Sequence, residues 1–180
     1  ATSQSGAEPA EGQSPPQSPR RAKTPVAKGR VRVPTVIQME AAECGAAWIK
    51  VRIKGREVYT PRLERGNSVQ ENPNAFVKAA HAIMAIEKWA VEYEKRETME
   101  FPGGTIIPKA QIVEVRGSGK ISRPNPFCDI FIDARIVPGK NPNAIKQEIA
   151  ATIKRLNLEC EVSLFQYSRG FIAQHAEPLI

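Results

Sequence analysis

The hydrophobic pattern of this 180-residue chain changes period several times, and the changes outline a fold. Ile49, Val51 and Ile53 alternate with Lys50, Arg52 and Lys54, the two-residue period of a half-buried strand. Residues 55–70 are rich in Gly, Pro, Arg and Asn and read as a loop. Asn72-Pro73-Asn74-Ala75 then opens a helix, with Asn72 placed to cap the free N–H groups and Pro73 suited to the first helical position. Phe76, Ala79, Ala80, Ile83, Ile86, Ala90 and Tyr93 recur at helical spacing as far as Arg96. Pro102-Gly103-Gly104 breaks the chain, residues 110–116 form a second strand, and Gly117-Ser118-Gly119 ends it.

Cys128, Ile130, Ile132 and Ala134 alternate with Phe127, Asp129, Phe131 and Asp133, giving a third strand that Pro138-Gly139 stops. Asn141-Pro142-Asn143-Ala144 repeats the earlier helix opening, and Ile145, Ile149, Ile153 and Leu156 share one face behind it. Cys160, Val162 and Leu164 begin a fourth strand. The predicted class is α+β, a ferredoxin-like βαββαβ sandwich. A four-stranded antiparallel sheet carries two helices on one face. The other face is expected to hold Trp48, Phe127, Phe131 and Phe165, either exposed as a partner surface or covered by the long loops.

Residues 1–33, rich in Ser, Pro, Gln, Ala and Gly, show no apolar period and are expected to be a disordered tail. The formal charge of +7 admits nucleic-acid binding, but much of the excess lies in Arg20, Arg21, Lys23, Lys28, Arg30 and Arg32 of that tail. A solvated basic tail is the preferred account. No apolar run approaches the length of about 20 residues needed to span a membrane, and no signal peptide is visible. Cys44, Cys128 and Cys160 lack a Cys-x-x-Cys arrangement and read as reduced thiols of a cytoplasmic protein.

Several short stretches, taken in order, point to a family. They are Trp48-Ile49-Lys50-Val51 leading to Gly55-Arg56-Glu57-Val58-Tyr59-Thr60, then Asn74-Ala75, Asp133-Ala134-Arg135 with Pro138-Gly139, and Glu177-Pro178-Leu179-Ile180. Residues 48–180 resemble the dimerisation (lid) domain of zinc aminoacylases and carboxypeptidases of the acetylornithine deacetylase, succinyl-diaminopimelate desuccinylase and carboxypeptidase G type. The resemblance implies a βαββαβ domain inserted into a catalytic domain that binds zinc. It also implies a homodimer formed by side-by-side sheet and helix contact, and residues lent to a pocket where a zinc-bound water hydrolyses an N-acyl or peptide bond.

The family's zinc ligands belong to the catalytic domain. This chain has only His81 and His175 and no His-x-Asp motif, so no metal ligand and no cofactor is expected within it. Tyr59 stands where the family commonly has a His that polarises the substrate carbonyl. Its hydroxyl either donates in the same way or belongs to an ordinary loop aromatic. Asn125, in Arg123-Pro124-Asn125, resembles a substrate-holding Asn of the family, although its spacing to Cys128 is short. Arg135 either grips a substrate carboxylate or pairs with Asp133 or Glu114. The chain is expected to be inactive alone, cut at both ends from its catalytic domain, which a separate reading frame could encode.

A second resemblance precedes the first. Residues 33–47, with Pro34-Thr35-Val36-Ile37-Gln38-Met39-Glu40-Ala41-Ala42-Glu43-Cys44-Gly45, are similar to the start of the cysteine peptidase domain of bacteriocin-exporting ABC transporters. That similarity implies Cys44 as nucleophile and Gln38 in an oxyanion hole. No downstream His and Asp context follows, so residues 34–47 read as a short peptidase-like segment joined near Ala47 and Trp48 to an unrelated domain. The sequence admits three functions: the inert dimerisation domain, which is the preferred one, a leader-peptide cysteine peptidase, and a basic ferredoxin-like domain that binds RNA or DNA, RNA through sheet aromatics.

Overall fold

A computed structural model describes residues 42–101, 104–117, 119–120, 122 and 126–173. The chain begins with β1 (Ala42–Glu43) and β2 (Gly45–Lys54), passes through a single 3-10 turn at Thr60–Arg62, and enters α1 (Ala75–Arg96). A hairpin follows, β3 (Met99–Phe101) and β4 (Gly104–Ile106), then β5 (Ala110–Arg116), β6 (Phe127–Ile136), α2 (Pro142–Lys154), β7 (Cys160–Ser168) and β8 (Phe171–Ile172). The main sheet is four-stranded, in the order β5-β6-β2-β7, and every neighbouring pair is antiparallel. The class is therefore α+β, with two helices and antiparallel sheets.

The two-residue period of β2 sorts its side chains cleanly. Ala47, Ile49, Val51 and Ile53 are fully buried, and the polar residues between them are not. Cys128, Ile130, Ile132, Ala134 and Ile136 of β6 lie on the same side. Both helices press their buried faces into this one core, α1 through Ala75, Ala79, Ala82, Ile86, Trp89, Ala90 and Tyr93, α2 through Ile145, Ile149 and Ile153.

Three local details differ from the sequence reading. The buried stripe of α1 is rotated: Phe76 is 43% exposed and Ala80 also faces outward, while Ala75, Ala82 and Trp89 turn in. The two Asn-Pro-Asn-Ala segments also differ. At α2, Asn141 caps and Pro142 is the first helical residue. At α1 the cap is Asn74, whose side chain accepts from Phe76 N at 2.9 Å, and Asn72 instead accepts from Asn74 N. The cause is tertiary, since the Pro73 carbonyl is engaged by Arg56 N at 2.7 Å, which keeps Pro73 outside the helix. Finally, β2 begins at Gly45 rather than near Trp48, and it pairs with Ile136 from its first residue.

The β1·β8 pair continues the β2·β7 ladder past a break. Ala46 partners Ser168, Glu43 partners Phe171, and Ala42 partners Ile172. The described chain thus comes in and goes out as two hydrogen-bonded strands at one end of the sheet. The expected tail at 1–33, most of the segment at 34–47 and the motif at 177–180 lie outside the described residues.

Candidate functional site

The sheet face opposite the helices carries most of the chemistry. Arg52 of β2 donates to both carboxylate oxygens of Asp129 on β6, at 2.7 and 2.8 Å, and its guanidinium lies 4.1 Å over the Phe127 ring. Arg116 of β5 pairs with Glu114 and lies 4.9 Å over Phe131. Phe131 meets Phe165 edge-on at 6.2 Å. Lys54 pairs with Glu159 at 3.3 Å and Glu161 at 2.8 Å. Trp48, Phe127 and Phe131 are half-buried, and Phe165 is 57% exposed. Phe127 and Phe131 are thus shielded by arginines of their own sheet face. Each of those arginines is paired with a carboxylate of the same sheet face.

The Arg52 hydrogen bonds hold the Asp129 carboxyl below the usual carboxylate range, and Lys54 does the same for Glu161. A carboxyl whose pKa is lowered on folding stabilises the fold above its ordinary value of about 4, and that contribution fades as the pH falls through the folded value. The thermal midpoint is therefore expected to drop as the pH is lowered from 5 towards 2, and less steeply in Asp129→Asn. Parallel profiles for the two proteins, followed by circular dichroism, would remove Asp129 from the account.

Arg135 sits on the same face, at the end where the β1·β8 ribbon emerges. Its guanidinium donates to Asp133 Oδ2 at 3.0 Å, while Glu114 is taken by Arg116. Of the alternatives for Arg135, the pairing with Asp133 is present, and about half of the arginine side chain remains exposed. Asp133 Oδ1 is buried and has no hydrogen-bond partner among the described residues. An unmatched buried acceptor costs about 1–3 kcal/mol.

Tyr59 lies at the other end of the sheet. It precedes the 3-10 turn, is 47% exposed, and its neighbour Thr60 bonds to the Ser122 carbonyl through both its backbone N–H and its hydroxyl. Asn125 lies outside the described residues. The ten residues of β6 separate the two ends, a distance of about 30 Å. Arg135 and Tyr59 therefore do not share a site within one chain.

Cys44 lies between β1 and β2, half-buried, and burial is the main influence pushing its thiol above the ordinary range, with only partial relief from Arg135. Activation requires the opposite shift. His81, the only imidazole among the described residues, is exposed on α1. It precedes Tyr93, the α1 residue whose electrostatics include Cys44, by twelve positions, about 18 Å along a helix. Gln38 and His175 lie outside the described residues.

Among the described residues no three His, Cys, Asp or Glu side chains are grouped to hold a metal ion. His81, exposed on a helix without carboxylate or thiol companions, does not fit a zinc site. Also among the described residues, no helix is long and apolar enough to cross a membrane.

The sequence reading missed an apolar surface along one edge. Phe76, Val77 and Met84 of α1 are 43%, 37% and 71% exposed, and Val113 and Val115 of the adjoining end strand β5 are 52% and 45% exposed. The available signal was Val77-x6-Met84-x6-Val91, a second apolar stripe on α1 outside the core-facing one.

No protein-family model matches the sequence. Solved structures do match. AtUAH in complex with glyoxylate is 16% identical with a TM-score of 0.55, covering 75% of this chain and 30% of that one. An amidase of the hydantoinase/carbamoylase family from Burkholderia phymatum is 12% identical with a TM-score of 0.55, covering 76% and 32%. A hydantoinase/carbamoylase family amidase from Burkholderia ambifaria is 11% identical with a TM-score of 0.54, covering 75% and 31%. At these identities the likeness is one of fold. The chain spans about 30% of the length of the structures it matches.

Proposed function

We propose that this chain is the non-catalytic lid and dimerisation domain of a zinc-dependent amidohydrolase, of the N-acyl amino acid deacylase, carboxypeptidase or related amidase type, and that its sheet is ferredoxin-like. The observation that carries the reading is the β1·β8 ribbon, in which inbound and outbound strands leave the sheet side by side. That geometry is what a domain inserted into another needs, because both connections must reach the same neighbour. The fold likeness to part of several amidases supports it. Zinc would belong to the separate catalytic domain. The unmatched Asp133 Oδ1 and the half-exposed Arg135 lie at the ribbon end of the open face, where that domain would pack.

The homodimer in this proposal uses the edge of β5 and the outer stripe of α1. A two-fold axis near Val113 would pair β5 with its copy in antiparallel register. The Tyr59 end of one sheet then lies beside the Arg135 end of the other, because β5 pairs Ala110 with Ala134 and Arg116 with Asp129. The two substrate-side candidates, at opposite ends of the sheet within one chain, would lie at the same end of the joined sheet. Arg135 would hold a substrate carboxylate there, and Tyr59 would donate to the substrate carbonyl.

Light scattering behind size-exclusion chromatography tests this. A dimer is expected at about 10 μM, and Met84→Glu with Val115→Lys is expected to give a folded monomer. A wild-type chain that stays monomeric at ten times that concentration would sink the dimer.

A further inference from the structure

We propose that the outer edge of β7, at the opposite end of the sheet from β5, accepts an extended peptide of alternating acidic and apolar residues as a fifth strand. The reading is independent of the amidohydrolase proposal and uses a different edge, so the two fail separately. β7 is a nine-residue end strand, and among the described residues no strand neighbours its outward N–H and C=O groups. Residues Cys160 to Leu164 pair regularly with β2, and the one irregularity falls beyond them. The straight half of the edge is therefore the half beside α2.

Between that half and α2 lies a trough of about 500 Å³. Val162 and Cys160 of β7, buried Leu158 and Ala150 of α2 give it an apolar floor. Lys146 and Lys154 stand along the helix side of the same trough. Neither makes an ion pair among the described residues, whereas Glu159, the one acidic residue of the lining, is paired with Lys54 at 3.3 Å. The trough is thus apolar beneath and positive along one rim.

The spacing defines the occupant. Lys146 and Lys154 are eight residues apart on α2, about 12 Å along the helix axis. A strand advances about 13 Å in four residues, and residues i, i+2 and i+4 share one face. A strand added to β7 with carboxylates at i and i+4 would meet both lysines, and an apolar side chain at i+2 would enter the trough over Ala150 and Val162. Main-chain bonds to β7 would supply affinity, and this three-residue face would supply selectivity.

The test is fluorescence anisotropy of the full chain with a labelled acetyl-Thr-Asp-Thr-Leu-Thr-Asp-Thr-amide peptide. Saturable binding is expected, weakened at least tenfold when both Asp residues are replaced by Lys, and equally weakened by Lys146→Glu with Lys154→Glu. Lys154 is exposed and Lys146 half-buried on α2, and circular dichroism checks that the variant is folded. Of two peptides N-methylated on alternate amides, one is expected to lose binding and the other to keep it. No anisotropy change up to about 1 mM peptide, or equal tolerance of both methylation patterns, overturns the proposal. So does a labelled oligothymidylate that binds through the same lysines and displaces the peptide, or a second copy of the chain that occupies this edge.

Discussion

Replacing Gly45 by valine is expected to lower the stability of the chain by about 2–3 kcal/mol, the cost of forcing atoms into a filled space. A Cβ on Gly45 would lie 2.5 Å from the Ser168 carbonyl oxygen, 2.6 Å from Gly170 N and 2.9 Å from an Ile136 side-chain carbon. Two of these are backbone atoms of the outgoing strand and cannot retreat as a flexible side chain would. Gly170 is matched to it, since its own Cβ would meet Glu43 O and Gly45 N, each at 2.5 Å. The two glycines let the inbound and outbound strands touch where the ladder breaks. Urea denaturation measures the loss, and Gly170→Val should resemble Gly45→Val. The half-buried thiol next door makes a useful contrast, because Cys44→Ser is expected to shift stability by less than about 1 kcal/mol. A valine variant as stable as the wild type would mean that the strands do not cross at this point. Fast alkylation of Cys44 at neutral pH would instead favour its role as a nucleophile.

Tyr93→Ala is expected to cost more, about 3–5 kcal/mol, as large-to-small changes of buried aromatics do. Tyr93 is fully buried, stacks on Trp89 with 4.9 Å between ring centres, and donates its hydroxyl to the Arg135 carbonyl at 2.8 Å. Burial is the main influence pushing its phenol upward, so it remains a donor across the working pH range. It is also where α1 is tied to the end of β6 that carries Asp133 and Arg135. Tyr93→Phe keeps the ring and removes the hydroxyl, and about 1–2 kcal/mol is expected for that change alone. A Phe variant as destabilised as the Ala variant would show that the hydroxyl, rather than ring packing, dominates. The surrounding ions restrain the same corner, with Glu148 accepting from Trp89 Nε1 and Arg96, and Lys140 pairing with Glu97.

The proposed site divides along similar lines. The Asp133-Ala134-Arg135 motif was visible because residues two apart on a strand share a face. The orphaned Asp133 oxygen was not visible, since it depends on which residues of β2 and β5 lie alongside. Tyr59 and Arg135 were each legible only as separate candidates for substrate contact. The register of β2 on β6 puts them at opposite ends of the sheet, and only a second chain could bring them together. The exposed Val77 and Met84 stripe was overlooked because α1 has two apolar stripes, and helical periodicity alone does not say which one faces the sheet.

By itself the sequence determined the kinds and order of the elements of the main sheet and its two helices. Strand alternation, helical spacing and Gly or Pro breaks are local signals, each set by backbone geometry within a few residues. It did not determine how Asn72-Pro73-Asn74-Ala75 and Asn141-Pro142-Asn143-Ala144 would cap, because the first is pulled out of its helix by a bond from Arg56 to Pro73. Nor did it determine the meaning of Cys44-Gly45, which locally resembles a nucleophile and its neighbour. Tertiary structure made Gly45 a crossing point, because residues 123 and 125 positions further along press their backbone atoms against it. Long-range backbone contact leaves no period in the chain, and so it is decided only when the strands pair.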